Sequence, residues 1–545
     1  MAPPRASVAA LILGQTKMRD FSFPGRSPVI SMNGMAATSM PAATLAALDV
    51  LRSGGNAMDA AIAAVAVLCV IEPQSTGIGG DCFCLYAPAG KEPIALNGSG
   101  RAPAAATIDY YEQAQMKEQI PTSPHSVTVP GAISAWETLL AAHGTKGLDE
   151  LLRPAINYAE NGHPLSPKVW LDWSGSEEKL RKGGATPFLP VPKIGDVIRQ
   201  PQLAATLKAI ATHGSRAFYE GEIAADMVAT LRARGGLHTE ADFAAGRTAA
   251  EFVTPIHTDY RGHEVWQCPP NGSGLHVLML LGILRGWGPA PDGPLGAIRL
   301  HRHIEAARLV YRDRDAFLAD PSQVKVPVEH LTSPAYLDSL RALIRDDVAM
   351  PDMPAPGEAM LPPHKDTVYL CVVDRDGNSC SLINSLFESF GSGIWAPKSG
   401  VFLQNRGYSF RLDRDHPNCI APNKRPMHTI IPGMVTQNGR AVMPYGVMGG
   451  HFQPMGQTLL LSNYFDYGLD IQESIDLPRL YPRLGRVQAE RGIPANIVAA
   501  LTKMGHGVDI VDKPHGGGQA IWIDHQRGIL IGGSDPRKDG MALGY

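Results

Sequence analysis

The stretch His364-Lys365-Asp366-Thr367-Val368-Tyr369-Leu370-Cys371-Val372-Val373-Asp374 decides how the chain is read. It sets a threonine at the opening of an apolar, β-branched run, directly after a segment that no core could hold: Pro351, Pro354, Pro356, Pro362 and Pro363 crowd residues 349 to 366 into an extended loop. A threonine there has an ordinary explanation, since β-branched residues fit a pleated surface. It also has a chemical one. If the bond between Asp366 and Thr367 breaks, Thr367 carries a hydroxyl nucleophile and, on the same residue, a free α-amine that can act as its base. The run Ser379 to Asn384 follows after Asp374-Arg375-Asp376-Gly377-Asn378, a turn signal, so Thr367 to Val373 and Ser379 to Asn384 are expected to pair as a hairpin.

Working outward, Pro41 to Arg52 places Leu45, Leu48 and Leu51 at helical spacing. Gly54-Gly55 stops that helix, and Asn56 caps a second from Ala57 to Val70. The second is apolar on all sides and is expected to be buried between a sheet and another layer. Strands are expected at Cys82 to Tyr86 and Pro93 to Leu96, behind the turn Gly77-Ile78-Gly79-Gly80. From about 125 to 350 the pattern is mainly helical, clearest at 202–213, 222–234, 297–319 and 334–346. On 297–319, Arg299, Arg302, Glu305 and Arg308 suggest a solvated face, with His301 and His303 facing solvent. Strands at 429–436 and 440–444, a turn at Gly446 to Gly450 and a helix at 456–465 complete a mixed lobe. The expected division is a tail 1–30, a large segment 31–366 that includes the loop 349–366, and a small segment 367–545.

The chain has 545 residues, enough for two lobes or one multilayer unit, and a net charge of -3 with no excess of one sign. Nucleic-acid binding has no support in that balance. The start, Met1 to Gly14, has one arginine and a short apolar run but no small-x-small cleavage context before Lys17 and Arg19, and no run is long enough to span a bilayer. A cytoplasmic location is the expectation, with a periplasmic or secreted one as the alternative. Seven cysteines, an odd and sparse set, point to reduced thiols. Cys82-x-Cys84 lacks a second ligand pair, so neither a metal nor a cofactor is expected. His515-Gly516-Gly517-Gly518 is like an esterase oxyanion loop, but no Gly-x-Ser-x-Gly elbow accompanies it.

Several ordered stretches carry a resemblance: Leu51-Arg52-Ser53-Gly54-Gly55-Asn56-Ala57-Met58-Asp59-Ala60-Ala61, Glu72-Pro73-Gln74-Ser75-Thr76-Gly77-Ile78-Gly79-Gly80-Asp81, Thr367 to Asp374, Phe390-Gly391-Ser392-Gly393 and Asp535-Pro536-Arg537. In these the chain resembles the γ-glutamyltransferase (glutathione hydrolase) family of N-terminal nucleophile hydrolases, from Met32 to Tyr545. The resemblance implies an α+β fold, a four-layer αββα sandwich with a mainly helical section in the large segment. It implies self-cleavage between Asp366 and Thr367 into a large and a small chain that remain together as a heterodimer. It further implies Thr367 as the nucleophile, Gly449 and Gly450 as oxyanion donors, and Ser385 as a hydroxyl partner of the nucleophile.

Substrate-contact positions depart from the family pattern. The arginine that grips a substrate α-carboxylate has Ser99 in its register, with Arg101 just before Ala102-Pro103 as a substitute. The acid that holds the α-amino group is replaced by Ser409 in Gln404-Asn405-Arg406-Gly407-Tyr408-Ser409. An asparagine becomes Phe387, and paired serines become His428 and Thr429. Arg101, Asn405, Arg406, Ser409, His428 and Thr429 are thus the candidate substrate contacts, although Arg406 also reads as a surface ion-pair residue. Loss of an acid beside gained cations favours an anionic acyl group without an ammonium, as in the branch that includes class II cephalosporin acylases. Expected activities are cleavage of γ-glutamyl amides such as glutathione, with hydrolysis or transfer to an amine, or of glutaryl-like acyl amides. An uncleaved binding protein is the alternative from another class.

Overall fold

The computed structural model describes residues 19, 25–351 and 367–545. Asp366 and most of the expected loop, 352–366, lie outside the described residues, as does most of the expected tail, 1–18 and 20–24.

Two seven-stranded antiparallel sheets are stacked. The first runs Val29–Ser31, Ile529–Ser534, Gly517–Asp524, Arg440–Met448, Gly433–Gln437, His263–Gln267, Ile256–Tyr260. The second runs Met541–Gly544, Met35–Thr38, Val368–Val373, Ser379–Ser385, Asp81–Ala87, Ile94–Gly98, Glu251–Val253. Side-chain alternation builds the layers. Tyr369, Cys371 and Val373 meet Trp266, Met434 and Ile521 between the sheets. Val368, Leu370 and Val372 point the other way, onto helices Pro41–Arg52 and Ala57–Ile71. Beyond the first sheet, Val435, Met443 and Val447 pack on Gly274–Leu284, Ala297–Phe317 and Gln453–Phe465. The architecture is therefore helix, sheet, sheet, helix, as expected.

The expected hairpin is present, with Val368 paired to Asn384 and Val373 to Ser379. It occupies the middle of its sheet, between Met35–Thr38 and Asp81–Ala87. The all-apolar helix Ala57–Ile71 is wholly buried, and its start is a capping box in which Asn56 accepts from Met58 and Asp59 while Asp59 accepts from Asn56.

Some expectations need correcting. Helix Ala297–Phe317 does not present a solvated face at Arg299 or Glu305, and His301 and His303 do not face solvent: all four are buried. The chain folds back over them. His301 contacts His506 Nε2 at 2.7 Å and the Arg345 carbonyl at 2.6 Å, and Glu305 accepts from the Met350 amide at 2.6 Å. Leu45 is half exposed, outside the stripe formed by Leu48 and Leu51. The strand expected at 429–436 starts only at Gly433. Its partner runs to Met448, through most of the expected turn, and the following helix starts at Gln453 rather than 456. The helical region also holds strands that its sequence did not announce: a short pair, His163–Pro164 and Val197–Ile198, and the three consecutive strands Glu251–Val253, Ile256–Tyr260 and His263–Gln267. These last three carry the chain from the edge of one large sheet to the edge of the other.

All seven cysteines are free and buried, and the described residues contain no His, Cys, Asp and Glu cluster suited to a metal. No helix among them is long and apolar enough to cross a membrane.

Candidate active site

Thr367 immediately precedes its strand, in step with the residues that face the gap between the sheets, and is buried. Ser385, the last residue of the neighbouring strand, shares that parity, and its Oγ lies 3.1 Å from Thr367 Oγ1. Ser385 Oγ also accepts from the Phe387 amide at 2.9 Å and from Arg406 Nη2 at 3.4 Å. A serine oxygen has two lone pairs and one proton, so with both lone pairs engaged the proton points at Thr367. With its lone pairs so engaged, Ser385 is left as the donor to the threonine oxygen.

Opposite, in the other sheet, the strand Arg440–Met448 ends at Gly449 and Gly450, with φ of +123° and +55°. Both conformations favour glycine, and a Cβ on Gly449 would sit 3.0 Å from Gly516 Cα. Neither glycine amide donates to an acceptor among the described residues. The next residue, His451, meets the Phe387 ring edge to face at 6.0 Å between centroids, which ties this turn to the Ser385 side of the gap. Its Nδ1 accepts from Arg314 at 3.2 Å.

Arg406 is not on the surface. Its short helical turn, Arg406–Ser409, buries the guanidinium completely, 4.1 Å above the Phe387 ring, with Nη1 donating to Thr429 Oγ1 at 2.8 Å. Among the described residues no carboxylate lies within ion-pair distance of it, and Nε has no hydrogen-bond partner. Burial pushes its pKa down to about 9, with Asp81 opposing the shift. Phe387 adopts φ +82°, a strained conformation for an aromatic residue, and in it supplies both the amide for Ser385 and the ring under Arg406.

His428 donates from Nε2 to Asp81 Oδ2 at 3.0 Å while Nδ1 accepts from the Ile430 amide at 3.3 Å. Burial, then Arg406, push it down to about 3 against the pull of Asp81, so it is neutral. The other Asp81 oxygen accepts from the Gly100 amide, the Gly131 amide and Gln404 Nε2 at 2.9, 3.1 and 2.7 Å. Asp81 thus braces the two glycine turns, the Arg406 segment and His428 together.

The remaining expected contacts are placed differently. Asn405 Nδ2 holds Glu388 at 2.8 Å and the Pro121 carbonyl at 3.1 Å. The Ser409 hydroxyl lies 2.8 Å from both the Arg406 and the Met427 carbonyls, so it closes the Arg406 turn from behind. Arg101 is drawn to the Asn423 carbonyl, Asp320 and Glu251, none of which touches Thr367 or Ser385. Arg425 shares the same two acids and reaches the Ser99 carbonyl at 3.2 Å. Sequence reasoning assigned no role to Asp81 or Arg425. The signal for Asp81 was a carboxylate opening an otherwise apolar strand after two glycines.

The γ-glutamyltranspeptidase family model matches residues 43–545. The glutathione hydrolase-like YwrD proenzyme of Bacillus subtilis is 35% identical over 95% of this chain and 99% of its own length. The oxamate amidohydrolase proenzyme of Klebsiella pneumoniae is 35% identical with the same coverage. A crystal structure of cephalosporin acylase from Bacillus halodurans superimposes with a TM-score of 0.89 at 38% identity, covering 98% of this chain and 99% of that one. With two stacked sheets flanked by helices and Thr367 held against Ser385 between them, the chain belongs to the γ-glutamyltranspeptidase family and is a hydrolase of that N-terminal nucleophile type.

Proposed function

We propose that the protein is a self-processing threonine amidohydrolase for amides whose acyl group carries a carboxylate and no α-ammonium. The observation that carries this reading is Arg406: a buried cation, joined to the nucleophile through Ser385 and without a carboxylate partner among the described residues. An uncompensated buried charge is costly unless a ligand completes it. An ammonium finds no equivalent. Ser409 stands where the family has an acid and is turned toward backbone carbonyls. Of the nearby carboxylates, Asp81 already has four donors, and Glu388 is held by Asn405 and Lys179.

In the precursor, Thr367 Oγ1 attacks the Asp366 carbonyl, the acyl group moves from nitrogen to oxygen, and water hydrolyses the ester. This leaves two chains that stay associated. The freed α-amine, with an ordinary pKa of about 7.7–8, then takes the hydroxyl proton as Thr367 attacks the substrate amide. Gly449 and Gly450 amides receive the oxyanion, the amine leaves with the proton, and water releases the acid. Gly446 packs its backbone on the Tyr369 ring, which lets the two sheets approach closely here.

The test compares glutaryl-anilide with γ-glutamyl-anilide, which differ only in the ammonium. The glutaryl compound should be hydrolysed with the higher kcat/KM. A clear preference for the γ-glutamyl compound would instead favour a glutathione hydrolase.

A further inference from the structure

Building on the anionic-acyl reading above, we infer that the site takes an acyl group of oxalyl size, so that its substrates are half-amides of the shortest dicarboxylic acids. The inference comes from how close Arg406 stands to the nucleophile and from which edge of its buried guanidinium holds the unpartnered Nε.

Thr367 Oγ1 to Ser385 Oγ is 3.1 Å and Ser385 Oγ to Arg406 Nη2 is 3.4 Å, so Nη2 lies no farther than about 6.5 Å from the nucleophile. The guanidinium cannot retreat. Nη1 is held by Thr429 at 2.8 Å, and the Phe387 ring lies against the group's face at 4.1 Å. Nε, without a partner, and Nη2 form one side of the planar fork, the geometry that grips a carboxylate with two parallel bonds. The Nη2 end of that side contacts Ser385, so a bound carboxylate lies next to the attacked carbon rather than deep in a pocket.

Attack comes from above the amide plane at about 3 Å, and the carboxylate oxygen sits about 2.8 Å from its donor in the line of the acyl chain. Standard bond lengths place an oxalyl carboxylate oxygen roughly 2.4 Å from the reacting carbon, which gives a nucleophile-to-nitrogen distance of about 6 Å. Each inserted methylene lengthens an extended chain by roughly 1.3 Å, so a malonyl group needs about 7 Å and a glutaryl group roughly 9 Å or more. Only the shortest group reaches both ends unstrained. A longer one must fold or give up half of the fork. The reaction balances as an ordinary hydrolysis: the amide C–N bond breaks, the nitrogen leaves as ammonia or an amine with the threonine proton, and water cleaves the oxalyl ester to release the dicarboxylate.

The experiment uses the wild-type two-chain enzyme with oxamate, malonamate, succinamate and glutaramate, read by release of ammonia, alongside calorimetric binding of oxalate and glutarate. The expected result is a kcat/KM at least tenfold higher for oxamate than for glutaramate, and oxalate binding at least tenfold tighter than glutarate. Equal or rising values along the series, or tighter binding of glutarate, would overturn the size limit while leaving the anionic-acyl reading intact. A γ-glutamyl-anilide turned over faster than glutaryl-anilide would bring down that reading, and the size limit with it.

Discussion

Replacing Arg406 with methionine should make the protein worse at its reaction and no less stable. Burial lowers the guanidinium pKa to about 9, and at about 1.4 kcal/mol per unit the charge costs the folded state on the order of 5 kcal/mol. Against that stand its bonds to Thr429 and Ser385, about 1 kcal/mol each, and its contact with the Phe387 ring, about 1–2 kcal/mol. Methionine removes the cost and keeps much of the volume, and among the described residues no carboxylate is orphaned because none was paired. The balance favours the variant by roughly 1–2 kcal/mol. Calorimetry of the processed protein should therefore find the melting midpoint unchanged or raised. With the fork gone, kcat/KM for an anionic acyl amide should fall at least 100-fold, since hydrogen bonds to charged groups are worth about 1.5–3 kcal/mol each. A midpoint several degrees lower with anionic-substrate turnover retained would show that Arg406 serves packing and would refute its role as the anion site.

Gly449→Ala places a Cβ 3.0 Å from Gly516 Cα at a φ of +123°, so the turn must shift; kcat should drop about 10²- to 10³-fold with little change in KM, and near-normal kcat would remove these amides from the oxyanion site. Asp81→Asn leaves an amide nitrogen facing donors that now bond to a carboxylate, which should cost about 3 kcal/mol or more in denaturant unfolding; an unchanged midpoint would mean that its four bonds do not brace the site. Acid should also destabilise the fold. Burial pushes His163, His238, His276, His303, His428, His506 and His515 down to about 3 or 4. Between pH 6.5 and 4 the unfolded chain binds protons at these histidines that the folded one does not, so stability is lost on acidification at about 1.4 kcal/mol per pH unit per histidine. A melting temperature flat from pH 7 to pH 5 would contradict that burial.

The hairpin at Thr367 and the helices Pro41–Arg52 and Ala57–Ile71 were legible because local chemistry alone specifies them: alternation, a capping asparagine, a glycine stop. Thr367, Ser385 and the glycine pair were singled out by resemblance, and the structure brings Thr367 and Ser385 into contact. Helix Ala297–Phe317 misled because its charges are satisfied by segments far along the chain, Arg345 to Met350 and His506, which periodicity cannot register. The same blindness left Arg406 ambiguous. A surface arginine and a buried one look alike until Phe387, at an unusual φ, is seen beneath it. Ser409 and Arg101 were placed by register with the family, yet the direction of each side chain is set by neighbours that register does not contain, Met427 for one and Asp320 for the other.

The most direct measurement is the mass and N-terminal sequence of the purified protein, for the wild type and for Thr367→Ala. The wild type should consist of two chains, the smaller beginning at Thr367, and be active, and the variant should be one uncut, inactive chain. An intact wild-type chain that turns over amides, with the same activity after Thr367 is truncated to alanine, would contradict a threonine that is at once nucleophile and base.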